Sequence, residues 1–304
     1  MGKETILYHL IRTLIRIMGK LPLSVLSFLS DVTGLIWFRI DKRHRAVVFD
    51  NIKAAFPGRY SDSQARAFTR KNFQHTASIL FEAIWSYGLT KEELLPCFEV
   101  RGRPYLKAAH DKGGVLLLTC HMGNFELMIP GIAKAGFDAH CLYRKFDFAP
   151  VERIVREMRQ RFGVNMIPLR KAAPKIMDAL GKGEIVATLL DQNVDWYKGV
   201  FVDFFGRPAC TNNGLAKLVL QSGATVVPTF IRKEGGTYIH EFLPPVPITV
   251  THDPIKDIEI NTQAFVSAIE SMVRRCPEQY FWVHNRWKTK PYCLLAQDET
   301  KGAH

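Results

Sequence analysis

Residues 113–126 read Gly-Gly-Val-Leu-Leu-Leu-Thr-Cys-His-Met-Gly-Asn-Phe-Glu, and the conformation of this run decides what kind of sheet the chain builds. Residues 115–120 are an apolar stretch behind a glycine pair, the pattern of a central strand covered on both faces and so of a partly parallel sheet. His121 then falls at the carboxyl end of that strand, the edge where open α/β sheets bind ligands. A continuous helix could not pair His121 with Glu126, because five residues at about 100° each set the two side chains roughly 140° apart. A tight turn at Met122-Gly123, with Asn124 capping a new helix, would bring Glu126 back beside the imidazole. Glu126 would then lie in the first helical turn, where the macrodipole favours its ionised form, and Pro130 should kink or shorten the helix.

Outward from this run, short β-rich stretches at 139–143, 185–190, 226–231 and 238–242 alternate with helical spacing near 151–162, 171–181, 213–222 and 262–275, after a longer helix at 61–87. This is an α/β layout, a mixed, partly parallel sheet flanked by helices. At the amino end, residues 6–38 are apolar but interrupted by Arg12, Arg16 and Lys20, and residues 21–38 carry one charge, Asp31. That length is borderline for a membrane span. No small-residue cleavage site follows and residues 39–45 are strongly basic, so the expectation is a membrane anchor with a basic flank over residues 1–45 rather than a signal peptide. An anchor lying in the interface is equally open, as is an amphipathic core helix.

The chain of 304 residues is 47% hydrophobic, which excludes a disordered polymer, and 41 Lys and Arg against 29 Asp and Glu leave a formal charge of +12. Such an excess suits anionic partners: lipid surfaces, phosphorylated substrates, nucleic acid or an acidic carrier protein. The six cysteines are scattered, without the close pairs of a zinc site or a small disulfide framework, and read as free thiols in a reducing compartment.

A carboxylate bonded to one imidazole nitrogen fixes the tautomer and supports the cation formed when the other nitrogen takes a proton, which makes His121 a candidate general base. No serine or cysteine stands in a nucleophile motif, so the activated hydroxyl belongs to a substrate and transfer from an activated donor is direct. Backbone N–H groups of Gly123 and Asn124 are candidates for stabilising an oxyanion. Arg144, after the strand at 139–143, falls on the same sheet edge and suits a phosphate. Arg161 has a weaker claim, since it sits among Arg153, Arg156 and Arg159 on what reads as a wetted helix face. Asp191 ends the strand at 185–190 and is a candidate for orienting the site or for structural capping. Phe201, Phe204 and Phe205 could line an apolar channel or fill the core, and Arg207 after them could hold a phosphate. Trp282 and Trp287 interleave with His284, Arg286, Lys288 and Lys290, a mix suited to lipid headgroups or to nucleic acid.

The run from His121 to Glu126 resembles the HxGN(F/W)E form of the H-x4-(D/E) motif of the lysophospholipid acyltransferase superfamily, and specifically the bacterial lipid A biosynthesis acyltransferases. Similar segments follow in the same order: Tyr143-Arg144, Leu190-Asp191-Gln192-Asn193, residues 199–209, Gly223-Ala224 with Val227-Pro228, and residues 284–291. The resemblance implies a fold like that of glycerol-3-phosphate and lysophospholipid acyltransferases, with an anchor over 1–45 and an acyltransferase domain over 46–304. It implies a membrane enzyme on the cytoplasmic face of a bacterial inner membrane that moves a fatty acyl group from acyl carrier protein to a hydroxyl of a lipid A precursor. His121 would be the base and Glu126 its partner; from their place at the sheet edge, Arg144 could bind a phosphate or the carrier's prosthetic arm, and Asp191 and Gln192 are candidates beside the substrate. A thioester is already activated, so no cofactor and no metal is expected. The partners would be acyl carrier protein, the lipid A precursor glycolipid and anionic membrane lipids, with no nucleic acid. The family often carries a second acid where this chain has Asn193. The motif leaves room for a lysophospholipid or another glycolipid as acceptor, and for water. The charge alone would also fit a non-enzymatic basic peripheral protein.

Overall fold

Every residue of the strand after Gly113-Gly114 is buried, and this strand lies in the middle of a seven-stranded sheet. The structure is a computed structural model that describes residues 2–291. The strands are β1 (Phe98–Arg101), β2 (Val115–Thr119), β3 (His140–Tyr143), β4 (Asn165–Pro168), β5 (Ile185–Leu189), β6 (Gly199–Phe204), β7 (Arg207–Asn212), β8 (Thr225–Glu234) and β9 (Thr237–Phe242). The sheet order is β1-β9-β8-β2-β5-β3-β4, and β6 and β7 form a separate antiparallel hairpin. Strands β8, β2, β5, β3 and β4 are mutually parallel. At Gly235-Gly236 the chain reverses, so β9 runs antiparallel to β8, and β1 lies parallel to β9. The sheet is mixed and partly parallel, as the apolar run implies.

The helices are α1 (Lys3–Gly19), α2 (Leu23–Ile40), α3 (Lys42–Ala55), α4 (Asp62–Gly88), α5 (Lys91–Leu94), α6 (Arg103–His110), α7 (Met128–Lys134), α8 (Ala149–Gln160), α9 (Ala173–Gly181), α10 (Gly214–Ser222) and α11 (Pro254–Arg275). Helix α4 starts at a capping box in which Ser61 and Gln64 satisfy each other's backbone N–H. Helix α11 begins eight residues before the expected start at 262, because Asp253 caps Ile255 and Lys256 and Pro254 fits the first turn. The alternating faces of β2 divide the core. Leu116 and Leu118 pack with Phe73, Phe204, Phe265 and Trp282, while Val115 and Leu117 pack with Leu106, Ile132, Val227 and Phe242.

The amino end is two helices, broken at Lys20-Leu21-Pro22. Helix α2 is the one described helix long and apolar enough to cross a membrane, with a mean hydropathy of 1.4. It lies along α4 with Leu26, Ser30 and Gly34 buried, so close that a Cβ on Gly34 would stand 2.5 Å from the Cα of Gln74. A division after residue 45 falls inside α3, whose Val48, Ile52 and Ala55 belong to the main core. The outer faces of α1 and α2 leave Leu10, Leu14, Ile17, Phe28 and Ile40 exposed.

Candidate active site

Strands β2 and β5 are adjacent and parallel, with Thr119 opposite Leu189, so the residue two beyond each strand end meets its counterpart. These residues are His121 and Asp191. The Asp191 carboxylate accepts from the His121 ring Nδ1 at 2.8 Å and from its backbone N–H at 3.0 Å. Because an ionised carboxylate only accepts, Nδ1 carries the proton and Nε2 is left as the basic nitrogen. The imidazole is packed against the rings of Phe125 and Phe281, with centroids at 4.8 and 5.9 Å. Burial disfavours the imidazolium, but the charge and hydrogen bond of Asp191, helped by the charge of Glu126, outweigh it and raise the His121 pKa above the ordinary histidine value. Burial works against the Asp191 carboxylate too, and its interactions with His121 reverse that and hold its pKa below the ordinary value.

The carboxylate on His121 is therefore not that of Glu126, which corrects the pairing read from the motif. The reason lies in the turn. Gly123 has φ +58, a conformation favouring glycine, and a Cβ there would lie 2.0 Å from the Ile231 carbonyl oxygen. Its N–H donates to the Gln279 carbonyl at 2.8 Å, so it is not free to hold an oxyanion, contrary to expectation. Asn124 precedes a 3-10 turn, Phe125–Leu127, but its side chain does not cap it. Instead, Asn124 is buried, and its Nδ2 donates to the Ile79 carbonyl at 3.1 Å and to Glu82 at 3.0 Å. Lys233 of β8 reaches the other Glu82 oxygen at 2.7 Å. The turn thereby hangs from α4 and β8, and Glu126 faces α8. There Arg159 donates to it through Nε at 3.1 Å and Nη2 at 2.7 Å. Helix α7 begins only at Met128 and contains Pro130, in line with a shortened helix.

Glu126 and the two phenylalanines also border a cavity of about 380 Å³. One wall is α4, through Ile79, Leu80, Ala83 and Ile84, and the other is α8, through Val151, Ile154, Val155 and Met158, with Ile15 of α1 at the side. The spacing of the α8 residues is that of one helix face, and nearly all the lining is apolar. A cavity of this size and lining is within the range of small-molecule and lipid sites.

The remaining expected site residues are dispersed. Gln192 is exposed next to Asp191. Arg144 is 84% exposed with Asp147 at 3.9 Å. Arg161 is turned inward, donating to the carbonyls of Ser86 and of Leu89, the latter at 2.9 Å, where it closes the end of α4. The helix face read as wetted is thus split, with Arg159 and Arg161 committed to the interior. Arg207 opens β7 and lies 4.9 Å from the Trp287 ring centroid. Phe204 and Phe205 are core, and Phe201 lies partly exposed outside the cavity lining. The tryptophan-rich tail is divided, with Trp282, Arg286 and Trp287 buried and Lys288 and Lys290 exposed. Trp282 is buried and donates to the Pro277 carbonyl at 2.7 Å, Arg286 is buried on the Cys210 carbonyl and Thr211, and His284 Nε2 accepts from the Asn193 N–H at 2.8 Å. This tail braces the site, because Phe281 N–H donates to the His121 carbonyl at 2.9 Å. Arg159, Glu82 and Lys233 were missed by motif reading, since each reaches the turn from a distant element. Among the described residues, no group of three or more His, Cys, Asp or Glu is placed to hold a metal ion, and Cys97, Cys120, Cys141, Cys210 and Cys276 are free. Cys293 lies outside the described residues.

Cys120, next to the imidazole in sequence, is fully buried, and burial together with the Asp191 charge holds its thiol protonated, which removes it as a nucleophile. A carboxylate-bonded imidazole at the sheet edge beside an open, apolar cavity suits an acyl-transferring enzyme. The chain belongs to the bacterial lipid A biosynthesis acyltransferase family, whose model matches residues 3–289, and it is an acyltransferase. It is 28% identical over 278 residues to the lipid A biosynthesis lauroyltransferase of Escherichia coli, covering 90% of this chain and 88% of that one. The palmitoleoyltransferase of the same organism matches to the same extent. Among solved structures, the 1-acyl-sn-glycerophosphate acyltransferase of Thermotoga maritima aligns over 80% of this chain and 96% of that one, at 13% identity and a TM-score of 0.34.

Proposed function

We propose that this enzyme transfers a fatty acyl group from the thioester of acyl carrier protein to a hydroxyl of a lipid A precursor, with His121 as the general base. The observation that carries the reading is the placement of the Asp191-bonded imidazole against Phe125 and Phe281, the same residues that end the apolar cavity. With the acyl chain in the cavity, the acceptor hydroxyl gives its proton to Nε2 of His121 as its oxygen attacks the thioester carbonyl. The tetrahedral intermediate collapses with loss of the C–S bond, and the imidazolium returns the proton to the leaving thiolate, so that an ester and a free thiol result. Asp191 stabilises the imidazolium between these two steps. Glu126, which lines the cavity, is paired with Arg159 and so ties the turn after β2 to α8.

The acceptor is a lipid, and α1 with α2 provides its approach. We read these helices as lying in the interface of the cytoplasmic face of the inner membrane, because α2 is bound along α4 and could not cross the bilayer without it.

The test is acyl transfer by the purified protein, with acyl carrier thioester and either a lipid A precursor or lysophospholipids as acceptor. Acylated lipid A precursor is the expected product, and its loss in His121→Ala is expected as well. Acylation of lysophospholipid alone would overturn the acceptor, and release of free acid without any acceptor would mark a hydrolase.

A further inference from the structure

We propose that the loops following β3 and β4 form the docking surface for the acidic carrier protein that delivers the thioester, an inference that rests on the donor named in the proposed function. Strands β3 and β4 are parallel neighbours with Tyr143 opposite Pro168, so the residues after them emerge side by side on the sheet edge that bears His121. One loop presents Arg144 and Lys145, the other Arg170 and Lys171, and all four are exposed. Lys145, Arg170 and Lys171 have no hydrogen-bond or ion-pair partner among the described residues, and Arg144 has only Asp147 at 3.9 Å, itself 97% exposed. Three of the four cations are thus left without a partner in the chain, and the fourth has only a long, exposed one.

The first loop is built rather than loose. The buried Glu152 carboxylate accepts from the Tyr143 hydroxyl and from the Phe146 N–H, both at 3.0 Å, which fixes the chain from Tyr143 to Phe146. Phe146 is half exposed and also lines the apolar cavity, so the basic loop is the rim of the cavity mouth. Phe148 and Leu169 are exposed on the same two loops and add an apolar centre to the basic ring.

The two substrates arrive from different phases. The lipid acceptor has the apolar outer face of α1 and α2, whereas a thioester carried by a soluble protein needs a polar approach that ends at the cavity. Unpaired cations round a small apolar patch attract an acidic protein and speed its encounter, an effect weakened by salt.

The experiment uses the full chain in detergent micelles and compares wild type with Lys145→Glu/Arg170→Glu. The variant is expected to raise KM for the acyl carrier thioester at least about tenfold at low ionic strength, with the difference shrinking as salt is added. With the small donor acyl-pantetheine, kcat/KM should stay near the wild-type value, and association with phosphatidylglycerol vesicles should be unchanged. Direct calorimetric titration of the carrier protein should show the same loss of affinity, and it decides the matter if the small donor turns over too slowly. An unchanged KM and affinity for the carrier, or an equal loss with both donors, overturns the proposal. Lost vesicle binding with an intact carrier KM would reassign the loops to the bilayer. If wild type uses no carrier thioester at all, the donor reading itself fails, an outcome distinct from an active wild type whose variant is unaffected.

Discussion

A carboxylate buried against an imidazole acts on it twice, by charge and by hydrogen bond. A base in the role proposed for His121 works when unprotonated, so activity should rise as pH climbs through its folded pKa, which the Asp191 charge holds above the ordinary histidine value despite burial. Asp191→Asn removes the anion and leaves the burial. The rising limb of kcat/KM should then move to lower pH while the plateau falls about 10²- to 10⁴-fold, the usual range for impaired general base catalysis. A limb that stays in place would disprove the pairing. For stability the sign is opposite: a raised folded pKa contributes stability below the unfolded value, and that contribution disappears as pH rises through the folded one. Lys233 offers a separate residue-level test. Lys233→Met leaves Glu82 buried without its cation and should cost about 3 kcal/mol in denaturant unfolding. The double variant Glu82→Gln/Lys233→Met should cost less than the sum of its singles, and plain additivity would show that the two residues are not coupled.

At the scale of elements, the turn between β2 and the 3-10 segment at Phe125–Leu127 governs where Asn124 and Glu126 point. Gly123→Ala must strain a positive φ, at about 1–2 kcal/mol, and also push the new Cβ into the Ile231 carbonyl. It should lower the midpoint of thermal unfolding and abolish acyl transfer, and an active, equally stable variant would mean the turn is not needed in this form. Much of this element was legible from residues alone. The unbroken apolar run marks β2 as central, and the glycine marks the turn. The direction taken by Glu126 was not legible, because it depends on Asn124 bonding to α4 rather than capping locally, and on Arg159 arriving from α8. Strand β4 was also missed: four residues at a sheet edge, with Asn165 exposed and only Ile167 buried, carry no periodic signal.

For the whole molecule, the apolar outer faces of α1 and α2 are the surface on which the proposed membrane contact rests. Leu10, Leu14 and Phe28 are 62%, 57% and 66% exposed, and burying one such side chain in lipid is worth about 1.5–3 kcal/mol. Leu10→Glu/Leu14→Glu/Phe28→Glu should therefore weaken co-sedimentation with anionic vesicles at least about tenfold, while Val250→Glu/Ile255→Glu, equally exposed elsewhere, should leave it unchanged. Equal loss from both variants would argue for general unfolding rather than a membrane face.

The amino-acid order by itself determined the central strand, the place of His121 at its carboxyl end, the α/β class and the apolar amino-terminal segment, because each depends on neighbours within a few residues or on simple periodicity. It also placed Asp191 at the end of a second strand. Which carboxylate meets the imidazole was decided only by tertiary structure. The register of β2 against β5 brings together two residues 70 positions apart, and a nearer acid, Glu126, is drawn away by Arg159. The same holds for the aromatic tail and for the apolar cavity: Trp282 and Arg286, which read locally as part of a basic surface, become bracing, and the space between α4 and α8 exists only once both helices are packed.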